Sequence, residues 1–191
     1  MEVVDYKAVY FTFGRFQPAT HGHESNFMSL KRLAGSSDWF IFPSLTQNKD
    51  TDPLPVDRKI HYMEKGMSWT RGHVRQPTRV TTAGKNNPLV ATIQLLQSEG
   101  YDKCYLVVGS DRVGAMQWTK KGNGTDYRFY EYDVISSGER DADGDTFAIS
   151  GTKMRRAAAA GDFDTFKKGM PKNMKEVDAR KLMEELKANM S

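Results

Sequence analysis

The sequence predicts an α/β fold: a parallel sheet of five strands covered by helices on both faces and followed by a helical C-terminal region. Three observations predict it. Apolar, β-rich runs recur along the chain, segments with helical spacing lie between them, and the runs VYFTF and YLVV are apolar almost without interruption. Strands buried on both faces read that way, whereas half-exposed strands alternate apolar with polar residues. Strand and helix in alternation is the pattern of βαβ crossovers, which are right-handed.

The first strand is KAVYFTFG (7–14), and Phe27, Leu30 and Ala34 mark the helix that follows. DWFIFPSL (38–45) is the second strand, and Ile60, Met63 and Met67 give the second helix. RVTTAG (79–84) is the third strand, with Leu89, Ile93 and Leu96 as the inner face of the next helix. KCYLVVGS (103–110) and FYEYDVISS (129–137) are strands four and five. From residue 150 onward the chain reads as helical. One helix covers 150–160 and stops at Gly161, a good left-handed terminator, and Asp162 caps a short helix around Phe163 and Phe166. MKEVDARKLMEELKANM places Val177, Leu182 and Leu186 on one side and Glu176 four residues before Arg180. We therefore expect one domain over 1–170 and, over 171–191, an amphipathic helix packed on it or on a second subunit. In such a Rossmann-like sheet, ligands bind beyond the carboxyl ends of the strands where strand order reverses, which directs attention to the loops after strands one, four and five.

Hydrophobic residues make up 38% of the 191 residues and charged residues 27%, an ordinary globular balance. No apolar run approaches the roughly 20 residues that span a bilayer. MEVVDYK lacks the basic start and apolar stretch of a signal peptide, so no membrane is expected and the expected location is the cytoplasm. Cys104, the single cysteine, sits in a strand and reads as an inert core thiol. A net charge of +4 suits a phosphate-bearing partner, but it is not clustered as in a nucleic-acid binder.

GRFQPATHGHESNF (14–27) is overfurnished for a change of direction. A loop between a strand and a helix start turns backbone N–H groups into one concavity, which favours anions. Gly14 would let a phosphate approach the backbone, Arg15 could pair with phosphate oxygens, and Pro18 would stiffen the loop. Thr20 and His23, three residues apart, would face one side. ISGTKMRR (149–156) opens a second helix in the same manner. Ser150 there is a natural N-cap, or with Thr152 and Arg155 one wall of a polyphosphate site.

TxGH at Thr20, His21, Gly22 and His23, inside GRFQP…GH, together with ISGTKMR at 149–155, resembles the nucleotidylyltransferase superfamily. Its signatures are (H/T)xGH after the first strand and ISxTxxR near the last crossover. GRFQPxxxGH in full is most similar to the archaeal-type nicotinamide-mononucleotide adenylyltransferases and their bacteriophage relatives. The resemblance covers roughly residues 7–170 and not the last helix. It implies in-line attack by a phosphorylated small-molecule acceptor on the α-phosphate of ATP. Joining ATP to nicotinamide mononucleotide gives NAD and pyrophosphate, with Mg²⁺ bound to the triphosphate and no metal held by the chain itself. By position, Thr20 and His23 would bind the α-phosphate, with Gly22 letting the helix start close on it. Ser150, Thr152 and Arg155 would hold the β- and γ-phosphates, and Arg155 would stabilise the departing pyrophosphate. Gly14, Arg15 and the backbone near Phe16 and Gln17 would contact nucleotide. The catalytic set is then Thr20, His23 and Arg155.

Other stretches are open to two readings each. In LTQNKDTDPLPVDRK (45–59), similar to a segment of the phage relatives, Gln47 or Arg58 reaches substrate or belongs to a polar surface loop. In GSD (109–111), Gly109 permits close approach and Asp111 binds ribose or metal-bound water, or caps a helix. Arg140, in SSGERD, lines an adenine pocket or is solvated. Trp118 stacks on a pyridine ring or is an edge residue.

Thr20 stands where many relatives have histidine, which removes one cation from the phosphates. The alternatives are a cytidylyl- or other nucleotidyltransferase with another acceptor, and a nucleotide-binding protein without turnover. Class I aminoacyl-tRNA synthetases have motifs similar to THGH and TKMRR, but 191 residues leave no room for an anticodon-binding domain. Nothing after residue 150 has the glutamate-rich helix of the Nudix hydrolases fused to some phage relatives, so a transferase domain alone is expected. The resemblance also implies a homo-oligomer.

Overall fold

The runs that read as buried strands do form a sheet: Val9, Phe11, Ile41, Phe42, Cys104, Leu106 and Val107 are each at most 2% exposed. The structure, a computed structural model, describes residues 4–78, 87–138 and 150–191. Its elements are β1 (Ala8–Gly14), α1 (His21–Ala34), β2 (Asp38–Pro43), α2 (Val56–Gly66), α3 (Pro88–Ser98) and β3 (Lys103–Val108). They continue with α4 (Trp118–Lys121), β4 (Glu131–Ser136), α5 (Gly151–Ala160), α6 (Phe163–Gly169) and α7 (Glu176–Met190).

Strand order is β2-β1-β3-β4. β1 pairs parallel to β3, with Val9 opposite Cys104, and β3 pairs parallel to β4, with Cys104 opposite Tyr132. Among the described residues the sheet therefore has four strands rather than the five expected, because the run 79–84, read as a strand, lies outside the described residues. The chain leaves β1 for β2 on one side and reaches β3 on the other, so strand order reverses at β1. The loop after β1 is thus at the switch point of the sheet.

The chain divides into two compact units. The first holds the chain up to Phe13, Asn26–Phe42, and the stretch from Pro77 through β4. Its core joins Val9, Phe11, Phe42, Cys104, Leu106 and Val134 to Val90, Ile93 and Leu96 of α3. Asn87 caps α3 by accepting from the N–H groups of Leu89 and Val90, and Pro88 takes the first helical position, where its missing N–H costs nothing. Burial pushes the Cys104 thiol pKa up, which suits an inert core residue.

The second unit holds Gly14–Ser25, Pro43–Gln76 and the chain from Ser150 onward. Its core is helical: Leu54, Tyr62, Met154, Ala158, Phe166, Met170, Leu182 and Leu186. The local signals act as read. Ser150 Oγ accepts from Lys153 N–H, Gly161 ends α5 at φ +71°, and Asp162 accepts from Thr165 N–H. α7 differs in one detail. Ala179, Leu182 and Leu186 face inward, while Val177 is 55% exposed, because the buried stripe follows i, i+3, i+7 from Ala179. Among the described residues no helix is long and apolar enough to cross a membrane.

Candidate functional site

The turn from Gly14 to Thr20 is held at several points by its own unit. Gly14 C=O accepts from Ser44 N–H at 2.7 Å. Phe16 adopts φ +50°, rare for a residue with a Cβ, and its buried ring folds back over Gly14. A Cβ at Gly14 would lie 2.7 Å from Phe16 Cζ, so packing within the turn already requires glycine there. Gln17, 3% exposed, uses its whole side-chain amide on Leu54: Nε2 donates to Leu54 C=O and Oε1 accepts from Leu54 N–H, both at 3.0 Å. The Gln17–Pro18 peptide bond is cis.

Thr20 caps α1, its C=O accepting from Glu24 N–H at 3.0 Å. Its own N–H donates to His23 Nδ1 at 3.0 Å, and its Oγ1 lies 3.2 Å from the same nitrogen. A nitrogen that accepts from an amide bears no proton, so in the neutral ring the proton sits on Nε2. The Phe16 ring meets the imidazole edge-on at 5.1 Å. His21 and Gly22 sit half-buried in the first turn of α1.

The second motif reaches this turn directly. Arg155 Nη1 donates to Gln17 C=O at 2.8 Å and Nη2 to Thr152 Oγ1 at 3.2 Å. A Cβ on Gly151 would stand 3.2 Å from both Gln17 O and Arg155 Nη1, so glycine lets the start of α5 approach. Burial lowers the Arg155 pKa, opposed by the charge of Asp52 and reinforced by that of Arg15. Arg15 itself is exposed, as are Thr152 and Lys153.

Three polar residues that the sequence reading did not single out complete the arrangement. Lys59 is 1% exposed, and its Nζ donates to Ser44 C=O at 2.7 Å and lies 3.2 Å from Ser44 Oγ. Burial brings its pKa down to about 8, with Asp52 pulling it up and Arg15 pushing it further down. Asp52, also 1% exposed, accepts at Oδ2 from Thr51 and Asn48, while its Oδ1 is buried without a hydrogen-bond partner. Glu24 accepts from Lys172 N–H at 3.1 Å. A signal for Lys59 exists in the sequence: it stands three and four residues before Tyr62 and Met63, on the buried face of an amphipathic helix.

Other expected site residues have different surroundings. Arg58 faces α7, pairing with Glu185 through Nε at 2.7 Å and Nη2 at 3.0 Å, so its guanidinium docks a helix. Gln47 is exposed in the loop before α2. Gly109, Asp111 and Trp118 belong to the first unit. Gly109 precedes a short 3-10 turn, Ser110–Arg112, which has no side-chain cap. Asp111 is exposed, and Trp118, 42% exposed, opens α4. Arg140 and Ile149 lie outside the described residues.

No known protein-family model matches the chain, and no curated protein matches it. Solved structures do share its fold. A candidate nicotinate-nucleotide adenylyltransferase from Vibrio parahaemolyticus is 15% identical, with 93% of this chain and 99% of that one aligned at a TM-score of 0.56. A bifunctional NMN adenylyltransferase/ADP ribose pyrophosphatase from Francisella tularensis is 14% identical at a TM-score of 0.66. There the alignment covers 96% of this chain and 52% of the other, so this chain spans about half that protein's length. The nicotinic acid mononucleotide adenylyltransferase of Plasmodium falciparum, complexed with NaAD, is 14% identical, with 94% and 98% covered and a TM-score of 0.59. At these identities the likeness establishes the α/β fold with its parallel sheet.

Proposed function

We propose that the chain transfers the adenylyl group of ATP to a pyridine mononucleotide, nicotinamide mononucleotide first among them, and releases pyrophosphate. The observation that carries this reading is the hydrogen bond from Arg155 to Gln17 C=O, which joins the start of α5 to the turn ending in Thr20 and His23. Donors of both motifs thereby converge. The reading is supported by the solved neighbours, named as nicotinate-nucleotide or NMN adenylyltransferases.

In this reaction a phosphate oxygen of the mononucleotide forms a bond to the α-phosphorus of ATP. The bond from that phosphorus to the bridging oxygen of the β-phosphate breaks, and its electron pair leaves with pyrophosphate. Both reactants are anions, so the chain's work is positioning and charge stabilisation. Thr20 Oγ1, His23 Nε2–H and the amides at the start of α1 hold the α-phosphate oxygens as charge moves onto them. Ser150, whose Oγ accepts from Lys153 N–H and keeps its own proton to donate, binds the β- and γ-phosphates with Thr152. Arg155 stabilises the departing pyrophosphate, and the exposed Arg15 meets phosphate oxygens bidentately.

Mg²⁺ bound to the triphosphate supplies further charge neutralisation. Among the described residues no group of three or more His, Cys, Asp or Glu is placed to hold a metal, and the side chains gathered here are mostly donors, which fit phosphate and not a cation. On this reading the ion comes with the nucleotide. Pyrophosphate release, measured with ATP or CTP against nicotinamide mononucleotide, nicotinate mononucleotide and other phosphorylated acceptors, tests the reading. ATP with nicotinamide mononucleotide should be the productive pair; turnover only with CTP, or nucleotide binding without pyrophosphate release, overturns it.

A further inference from the structure

Lys59 is a buried cation that the reaction above does not use, and its hydrogen bonds lead straight to the phosphate-binding turn. Its Nζ donates to Ser44 C=O at 2.7 Å, and Ser44 N–H in turn donates to Gly14 C=O at 2.7 Å. Gly14 begins the turn that ends, six residues later, in Thr20. The segment joining Ser44 to Lys59 also supplies Leu54, whose backbone grips the Gln17 side chain from both sides. Asp52 lies in that segment, its charge felt by Lys59 and Arg155 alike. Its Oδ1 is buried without a hydrogen-bond partner among the described residues, which leaves the carboxylate's charge to act on these cations.

A lysine methylene chain that only filled space would be replaced in a core by an apolar residue, because burying an ammonium costs several kcal/mol. We propose that Lys59 is a positioning residue for nucleotidyl transfer: its ammonium, with Asp52 as counter-charge, fixes Ser44, and through Ser44 the turn that presents Thr20 and His23. The proposal rests on the adenylyl-transfer reading of that turn. Lys59 itself is out of reach of substrate at 1% exposure.

The charges that act on Lys59 are those of Asp52, from the loop before α2, and Arg15, from the turn after β1. The neighbours that α7 and the chain before it contribute to the cavity at Lys59 are Leu182, Pro171 and Met174, all uncharged. The ammonium titrates near pH 8, and a neutral amine grips a carbonyl more weakly than a charged one does. Turnover should therefore fall as pH rises through 8. Stability should move the opposite way. The folded pKa lies below the unfolded value of 10.5, so between pH 8 and 10.5 the unfolded chain binds more protons and the Lys59 contribution to stability grows with pH.

The test compares wild type with Lys59→Met, Lys59→Arg and Asp52→Asn. The readouts are kcat and KM for ATP from pH 6.5 to 9.5, thermal melting, and amide-exchange protection factors over residues 14–20. Lys59→Met should melt cooperatively, lose about 10-fold or more in kcat with KM for ATP within about 3-fold, and lose protection in the turn. Lys59→Arg should recover part of the turnover and hold it above pH 8. Asp52→Asn, which keeps the hydrogen bonds around Oδ2, should move the alkaline limb to lower pH by about half a unit to one unit. A folded Lys59→Met with wild-type kcat, or an Asp52→Asn profile that does not move, overturns the positioning role and leaves adenylyl transfer standing. Wild-type protein that releases no pyrophosphate overturns the adenylyl-transfer reading and the positioning role with it. In that case the protection factors still show whether Lys59 holds the turn.

Discussion

His23 does two separable things. Its Nδ1 accepts from Thr20 N–H and closes the start of α1, and in the proposed reaction its Nε2 donates to the α-phosphate. Removing the ring should therefore cost stability as well as turnover: about 1 kcal/mol for the lost cap and about 10² or more in kcat for the lost transition-state donor. His23→Asn separates the two, because Asn Oδ1 can stand where Nδ1 stands and nothing replaces Nε2. We expect His23→Asn to melt close to wild type and His23→Ala below it, with turnover impaired in both; a wild-type kcat in either variant removes His23 from the reacting phosphate. Arg155 donates to Gln17 C=O, and the proposed reaction adds the triphosphate as a second partner. Arg155→Ala should weaken ATP binding and turnover together, and an unchanged ATP affinity by titration calorimetry would leave the guanidinium a purely structural link.

At the scale of elements, α7 is fastened to α2 by a cluster in which Arg58 grips Glu185 with two N–H groups and Tyr62 Oη donates to the same carboxylate at 2.6 Å. The Arg58 hydrogen bond holds the Glu185 pKa below the usual carboxylate value, and burial, then Glu185, raises Tyr62 to about 12. The signs differ. Glu185 contributes stability above the unfolded carboxylate pKa of 4.5 that is lost as pH falls through its lower folded value. Tyr62 contributes stability below pH 10 that is lost as pH rises toward 12. Arg58 and Glu185 are partly exposed, at 37% and 24%, so solvent screening keeps their pair to about 1 kcal/mol or less. Glu185→Gln should accordingly lower the melting temperature slightly at pH 7 and flatten its acid dependence; a variant that keeps the wild-type acid slope shows that α7 is held by Leu182 and Leu186 alone. The caps at Ser150, Asp162 and Gly161 were legible in the sequence because a cap is a contact within four residues. Arg58 and Lys59 were not. They are neighbours in one helix that point to different partners, Glu185 and Ser44, and those partners are set by packing far along the chain. The convergence of Arg155 on Gln17 was likewise invisible as geometry, although motif resemblance named Arg155 and the turn containing Gln17.

For the whole molecule, the division into two units places both segments proposed to handle phosphate, Gly14–Ser25 and the start of α5, in the second unit, together with the Lys59 network. The strands of the sheet lie chiefly in the first unit, with Gly109, Asp111 and Trp118. A net charge of +4 adds a general attraction for anions that salt screens, whereas the hydrogen bonds proposed from Thr20, His23, Ser150 and Arg155 to the triphosphate depend on local geometry. Triphosphate binding should therefore keep most of its affinity as ionic strength rises and should order the second unit first. At a free ATP concentration of about 100 times Kd, one-site linkage gives about 2.7 kcal/mol of added stability. For a chain of this length that is a rise in melting temperature of roughly 5–10 °C. Amide exchange with ATP bound, before any acceptor is added, should show new protection over residues 14–24 and 150–156, with a smaller change over 103–136. Protection by ATP confined to 103–136 would move the triphosphate site off the two motifs and overturn the assignment of Thr20, His23 and Arg155.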